Sequence, residues 1–406
     1  MKEISTESQM DASQVFCPNE HCKARGQVGQ GNIVSHGKTR PRYRCKACGK
    51  TFSAHAGTMF AGLRKPKTLI VIVVTLLAYG CPIQAIVQAF GLDERTVASW
   101  RDRAGKQCQR VHQAVVQQGQ LDLVHVQADE IRVKGCKMIA WMGLAMMVST
   151  RLWLGGVVSL TRDRHLADRL LWQVRSCCQP LRALLVCIDG WNAYPGSIRR
   201  AFRQKVKETA GRGRACLRVW PQLCIGVVIK RSVNKRVVEV TRKLMQGTLE
   251  QAQTLLSASG GGTVLNTAFI ERLNGTIRER LASLTRKCRH AARRLAALES
   301  GMWLLGCTYN LCWPHHELSR RATKAHEERG EVLLTPAMAS GLTDHIWSIQ
   351  ELLSYRVAPL PWMEPKRRGR PKKLAAQASS QAPLVVQPRL RPLLRLRKGV
   401  LCSTTT

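Results

Sequence analysis

The sequence predicts a multidomain chain: a small cysteine-bearing module, a helix-turn-helix, an α/β domain of mixed sheet and helices, and a disordered basic tail. Three observations carry this prediction. Two close cysteine pairs, Cys17/Cys22 and Cys45/Cys48, stand near the start of the chain. From about Leu123 onward, strand-like apolar runs are interleaved with helical periods, the pattern of an α/β domain. After Met363 the composition turns basic and low in complexity. At 406 residues there is room for two or three domains, and 45% hydrophobic residues suffice to fill their cores.

Charge narrows the partners. With 64 Lys+Arg against 26 Asp+Glu the formal net charge is +38, which calls for a polyanion, DNA first and an anionic membrane second. The longest apolar run, Leu69 to Tyr79, is too short to span a bilayer, so no membrane role is expected. No charged-then-apolar leader opens the sequence, and a cytoplasmic, nucleoid-associated location is expected. There the 16 cysteines stay reduced. Most, such as Cys177, Cys187, Cys224 and Cys307, sit in apolar company and read as small core residues.

Residues 1–14 are polar and expected to be disordered. Residues 15–60 hold the two cysteine pairs, whose thiolates can close one tetrahedral zinc site. Gly49 and Lys50 help bare amides turn towards the second pair, and His21 could replace Cys22 as a ligand. Arg40, Arg42, Arg44, Lys46 and Lys50 make the module basic and able to touch DNA.

Residues 61–121 read as a helix-turn-helix with a linker helix. The run Leu69–Tyr79 ends at Gly80, and Pro82 starts a second helix with Ile83, Ile86, Val87 and Phe90 inward. Gly91-Leu92 turns, Asp93 caps, and Val97, Trp100 and Ala104 bury the third helix. That leaves Arg95, Thr96, Ser99 and Arg101 for DNA. A Gln-rich connecting helix covers 106–121.

The α/β domain is expected over 122–362. Its first strand alternates Val124, Val126, Ala128 and then shifts phase to Ile131 and Val133, which predicts a bulge at Asp129-Glu130. Lys137–Val148 and Leu152–Leu160 give two more strands, and a helix from Asp163 to Cys178 leads to a fourth, Leu184–Asp189, buried on both faces. Ala215–Ile229 is a fifth strand region, followed by a basic, partly helical stretch. In the next helix Ile270, Leu273, Ile277, Leu281 and Leu284 repeat at helical spacing, and Glu271, Asn274 and Arg278 share the neighbouring face. Alone, that helix reads better as an ordinary surface element whose Glu271 pairs with an arginine. Together with Asp129 and Asp189, each after a strand-like run, the order strand acid, strand acid, helix acid is the layout of a ribonuclease-H-like two-metal site. Such carboxylates hold two divalent cations about 3.5–4 Å apart for phosphoryl transfer. Glu130 and Glu279 are neighbouring acids from which little effect is expected.

Residues 363–406 form the basic tail. Arg368-Gly369-Arg370-Pro371 has the centre of an AT-hook, a flat arm for a narrow A·T minor groove; a solvated charge run is the competing reading.

Asp129-Glu130, Asp189-Gly190-Trp191-Asn192-Ala193-Tyr194 and Ile270-Glu271-Arg272-Leu273-Asn274, with Arg278 and Leu284 to Lys287, resemble the motifs of bacterial insertion-sequence-one type transposases. The resemblance spans about residues 15–315, including the cysteine pairs and the helix-turn-helix. It implies an Asp-Asp-Glu triad of Asp129, Asp189 and Glu271 with magnesium or manganese, and Asn274 and Arg278 near the DNA. The chain departs from the family pattern at Ile131-Arg132-Val133, where an aromatic residue often stands, and at Ile188, where Thr is common. The implied activity is metal-dependent cleavage and transfer of DNA strands at terminal inverted repeats, by a homo-oligomer joining two ends. The alternatives are a non-catalytic DNA-binding regulator derived from a transposase, or a related two-metal nuclease.

Overall fold

The central feature of the computed structural model is a six-stranded mixed sheet. The structure describes residues 11–37, 42–207, 215–234, 236–284, 291–325 and 330–364. Residues Met1–Trp362 group as one compact unit. The AT-hook-like residues Arg368, Gly369 and Arg370, and nearly all of the basic tail, lie outside the described residues, as do Arg40 and the motif residues Thr285, Arg286 and Lys287.

At the N-terminus Asp11 caps a single 3-10 turn at Ala12–Gln14, where disorder was expected. Strands β1 (Ile33–His36), β2 (Arg42–Cys45) and β3 (Thr51–Ser53) make a small antiparallel sheet over a core of its own that includes Val15, Ile33 and Tyr43. Helices α1 (Lys67–Ala78), α2 (Ile83–Phe90) and α3 (Glu94–Val115) follow. Pro82 precedes α2, Gly91 ends it in the left-handed conformation (φ 57°), and the Asp93 side chain accepts from the amides of Arg95 and Thr96. Ile86, Val97, Trp100 and Ala104 are buried as expected, whereas Phe90 is exposed.

The third helix does not stop at the end of the helix-turn-helix. The expected linker is its continuation, and its C-terminal half packs on α8 (Leu295–Leu311). Gly105 permits this approach: a Cβ there would lie 2.5 Å from Ser300 Cα. α8 is buried on nearly every side, as an apolar helix between two layers must be. Its Asn310 both donates to and accepts from the backbone of Trp153 (2.8 and 2.9 Å) at the start of the sheet's edge strand. One continuous apolar cluster therefore joins α1–α3 to the sheet.

The sheet has the order β11-β10-β7-β4-β5-β6. β4 (His125–Gly135), β5 (Met138–Met147) and β6 (Trp153–Ser159) form an antiparallel meander. α4 (Arg164–Cys177), capped by Asp163, crosses to β7 (Leu184–Asp189), which runs parallel to β4. α5 (Ala193–Ala201) packs on α4. A separate antiparallel pair, β8 (Arg203–Val206) and β9 (Cys216–Val219), intervenes before β10 (Leu223–Val233), parallel to β7. The expected fifth strand region is thus two strands in different sheets.

Two expectations are corrected here. There is no bulge at Asp129-Glu130: β4 pairs with β5 without interruption from Val126↔Met147 to Gly135↔Met138. The phase shift arises because β4 is covered on both faces, so neither set of its side chains has to be polar. Among the described residues, the stretch after Ile229 is helical only in α6 (Leu249–Ala258); before it β10 runs on to Val233 and hairpins onto β11 (Arg236–Gln246), a strand that was not expected. β11 is an edge strand with mostly exposed side chains, and its charges hide the strand signal.

α7 (Ala268–Arg280) carries the helix acid. It ends earlier than its apolar stripe suggests: Leu281 is already extended, and Leu284 lies in a 3-10 turn at Ala282–Leu284. α9 (His316–Ala325), α10 (Pro336–Ala339) and α11 (Ile349–Ser354) complete the fold, with Trp303 and Trp347 buried and Tyr355 stacked on Trp347 at 5.0 Å. Among the described residues no helix is long and apolar enough to cross a membrane.

Candidate functional site: an acidic cleft and a thiol cluster

Asp129 and Asp189 come together because β4 and β7 are adjacent and parallel. Their pairing stops at Ala128↔Ile188, one residue before each acid, so both carboxylates emerge where the strands part. For β7 this is the carboxyl end, where open α/β sheets place their chemistry, while β4 runs on to Gly135 paired with β5. Oxygens of Asp129, Glu130 and Asp189 lie within 4.8 Å of one another.

Cross-strand pairing assigns Asp129 and Glu130 to opposite faces. Glu130 is opposite Gly143, where a Cβ would meet Leu166 and Leu170 of α4, and it accepts a hydrogen bond from Tyr194 of α5. Asp129 accepts from Asn274 Nδ2 of α7 (2.8 Å) and, through its other oxygen, from the Glu130 amide (2.8 Å). Asp189 is fixed by the Trp191 amide (3.0 Å), closing a tight turn after the strand.

Glu271 faces the same cleft of about 800 Å³, together with Asp129, Asp189, Lys230, Asn274 and Arg278. It is not within that 4.8 Å group. Its Oε1 accepts from Thr267 Oγ1 (2.7 Å) and pairs with Lys230 of β10. What sets α7 against the sheet is Gln127, two residues before Asp129. Its Oε1 accepts from the amides of Phe269 and Ile270 (3.0 Å each), and its Nε2 donates to the Asn266 carbonyl (2.8 Å). Thr267 itself does not cap the helix, so a strand side chain satisfies its first free amides. The helix acid is thereby tied to the strand acid by Gln127, a residue that sequence reasoning did not single out.

Electrostatics follow from this crowding. Burial, then the carboxylates of Glu130, Asp189 and Glu271, push the Asp129 carboxyl up to about 7, against the pull of the Glu130 amide. Burial and Asp189 also raise Glu130, opposed by Arg162 and Tyr194. Carboxylates crowded this closely in so basic a chain suit a hard divalent cation, and these acids could hold one.

The second cluster is built of sulfur. Cys17, Cys22, Cys45 and Cys48 bring their Sγ atoms within 4.8 Å of one another, with Cys17–Cys48 at 3.7 Å and Cys22–Cys45 at 3.8 Å. Zn–S bonds of about 2.3 Å in a tetrahedron set the S–S edge at about 3.8 Å, so the four thiols could hold zinc. The amides of Asn19, Ala24 and Lys50 point at Cys17, Cys22 and Cys48, each two residues ahead of its thiol. His21 is exposed and outside the cluster; Cys22 supplies the fourth thiol.

No family model and no curated protein matches the chain. Among solved structures, the cryo-EM structure of a piggyBac transposase synaptic complex with hairpin DNA is similar, covering 74% of this chain and 74% of that one. Sequence identity there is 10% and the TM-score 0.34. Likeness at that level leaves the function to the site itself.

The residues expected at DNA separate into two groups. Arg95 and Ser99 are exposed on the first turns of α3, with Thr96 half-buried beside them and Arg103 and Lys106 continuing the face. Arg101 is turned aside: its guanidinium bonds Asp102 at 2.7 and 3.0 Å. Arg278 is exposed in the cleft, but Asn274 is 1% exposed and is spent on Asp129. Asn274 therefore positions a carboxylate and does not reach a DNA surface. Sequence reasoning missed Gln127, Lys230 and Arg162; a Gln inside an apolar strand was the one available signal.

Proposed function

We propose that this chain is a DDE transposase of ribonuclease-H-like architecture, cutting and joining DNA at the terminal inverted repeats of a bacterial insertion sequence. The observation that supports this best is the convergence of Asp129 and Asp189 from adjacent parallel strands on a cleft that Glu271 also faces. Asp129, Asp189 and Glu271 are the residues that would hold Mg²⁺ or Mn²⁺, which when bound supplies Lewis-acid chemistry for phosphoryl transfer. The chain's own groups do the rest. Asn274 and the Glu130 amide hold Asp129 in one orientation, the Trp191 turn holds Asp189, and Thr267 holds Glu271. Lys230, Arg278 and the α3 face offer cations to the DNA backbone. Zinc at the four thiols would keep the N-terminal module folded. Because two ends must be joined, the working form would be a homo-oligomer on DNA.

The basic tail is proposed to add A·T-favouring, sequence-lax affinity through Arg368, Gly369 and Arg370. Removing residues 364–406 should then flatten the salt dependence of binding, by about 0.9 in slope per lost phosphate contact.

The deciding experiment is metal-dependent nicking of a labelled end fragment, with binding measured on the same preparations. Asp129→Asn, Asp189→Asn and Glu271→Gln should each lower nicking by orders of magnitude, while binding survives. The triple change should cost little more than one, since ligands of one site act as a unit. Glu279→Gln, exposed on α7 and outside the cleft, is the control. Binding without any effect of the three acids would identify a DNA-binding regulator instead.

A further inference from the structure

We infer that Arg162 is a pre-set phosphate-binding cation of the acidic cleft, with Glu130 its positioning residue; this rests on reading the cleft as the place where DNA is cut. Glu130 is close enough to Asp129 and Asp189 to pass for a metal ligand. Its bonds argue otherwise. Oε1 takes Arg162 Nε at 2.6 Å and also pairs with Nη2, and Oε2 takes the Tyr194 hydroxyl at 3.0 Å. The Glu130 side chain is only 3% exposed, and three of its roughly four acceptor positions are already taken by these two residues. Its visible job is to hold a guanidinium.

That guanidinium is held on further sides. It lies over the Trp191 ring at 4.6 Å and near the Trp141 ring at 5.1 Å, and Nη2 stands 3.7 Å from Asp189 Oδ2. Trp191 is itself braced edge-on by Tyr194 at 4.9 Å. Arg162 sits between β6 and the cap residue of α4, a short tether that limits its travel. Yet its side chain remains 34% exposed, it lines the cleft, and Nη1 makes no hydrogen bond among the described residues. A flat cation fixed by a buried carboxylate and two tryptophans loses little entropy when a phosphate arrives, and its fork suits phosphate oxygens. Its place beside Asp189 puts that phosphate next to the reacting position. A counter-ion that merely neutralised the acids would need neither the aromatic walls nor a free edge towards the cleft.

The test uses the full chain and a short generic duplex, reading the salt dependence of affinity together with nicking of a supercoiled plasmid in Mn²⁺. Arg162→Gln should lower the slope of log affinity against log salt by about 0.9, one phosphate contact. Nicking should fall on the order of 10²-fold, the scale of one preorganised donor in a phosphoryl or acyl transfer site. Asp189→Asn should abolish nicking without lowering the slope. Arg164→Gln, the same charge change two residues on, should alter neither. Arg162→Lys should keep the slope but lose roughly tenfold in nicking, because a lysine cannot be held flat against the rings. Glu130→Gln should behave likewise, which a metal ligand would not, since its Mn²⁺ affinity should stay unchanged. An unchanged slope in Arg162→Gln overturns the inference. Should that variant fail to fold, full nicking by both Arg162→Lys and Glu130→Gln overturns it equally. A lowered slope in a protein whose native form never nicks would leave the phosphate site standing and remove the transposase reading.

Discussion

The thiol cluster and the acidic cleft are both places where side chains converge on a point, and they converge differently. The four sulfurs are mutually close, three of them are buried, and amides from their own loops are turned towards them. In the cleft Asp129 and Asp189 meet beside Glu130, Glu271 stands apart, and basic groups already lie against them: Arg162 on Asp189 and Lys230 on Glu271. A closed tetrahedron of soft ligands suits a structural ion, whereas an open, incomplete set of oxygens leaves room for a substrate. The contrast is one between a site that finishes the fold and a site that waits for a partner.

The largest effect should come from breaking the closed one. The sheet β1–β3 has a core of few residues, three of them the cysteines Cys17, Cys22 and Cys45 themselves, so it cannot stand without its ligands joined. Cys45→Ser with Cys48→Ser should abolish zinc content, about one ion per chain by this geometry, and unfold the module. Loss of near-ultraviolet signal together with DNA affinity is the expected outcome. Unchanged zinc content would place the metal elsewhere.

The open site should behave the opposite way: removing its ligands should leave the fold intact. Asp189→Asn removes a carboxylate without opening a cavity, so thermal unfolding should move little, or upward, because like charges are relieved. Mn²⁺ binding, followed by titration calorimetry, should weaken sharply. If Asp189→Asn instead unfolds the chain as the cysteine changes do, the contrast between the two sites is wrong.

The pH response sharpens the same point. Burial pushes the Asp129 carboxyl up to about 7 from the ordinary 3.8, so between those values the native state holds a proton that the unfolded chain has lost. By linkage, its contribution makes metal-free stability fall as pH rises from about 4 to about 7. Divalent-cation affinity should rise over the same window, since the ion needs the carboxylate. Asp129→Asn should flatten both profiles. Denaturant melts at pH 5 and pH 7, with and without Mn²⁺, would show it.

How much of this was legible in the sequence follows the range of the interactions. The cysteine pairs, the Asp93 cap and the Gly91 turn are set by neighbours a few residues apart, and their spacing states them directly. Asp129 and Asp189 could be found because each follows an apolar strand. Glu271 could be placed on a helix face, but its separation from the two aspartates was invisible. Arg162 reaches Glu130 across 32 positions and Gln127 reaches α7 across more than 140, and no local pattern encodes such pairings. The same limit explains the false bulge, since a strand covered on both faces has no alternation to read. Asn234, in the left-handed conformation between two valine-rich runs, was the turn signal that would have exposed β11.

The smallest effect, and the one that tests how the open site is held open, concerns Gln127. It caps α7 from the neighbouring strand, and its removal leaves the Phe269 and Ile270 amides and the Asn266 carbonyl without this partner. Loss of a helix cap costs about 1 kcal/mol. Unsatisfied buried groups add about 1–3 kcal/mol. Gln127→Leu should therefore lower stability by roughly 2–4 kcal/mol, read from the urea midpoint. The apolar stripe of Ile270, Leu273 and Ile277 remains buried, so α7 should stay docked while its first turn loosens. Glu271 lies in that turn; Asn274, one turn on, should still hold Asp129. Nicking should consequently drop further than either Mn²⁺ affinity or DNA affinity, because the displaced group is the third acid alone. Gln127→Glu keeps the acceptor at the helix start but loses the donor to Asn266, and should recover stability more than nicking. If Gln127→Leu lowers stability yet nicks at the native rate, Glu271 is placed by Thr267 and the apolar stripe, and the strand cap serves only the fold.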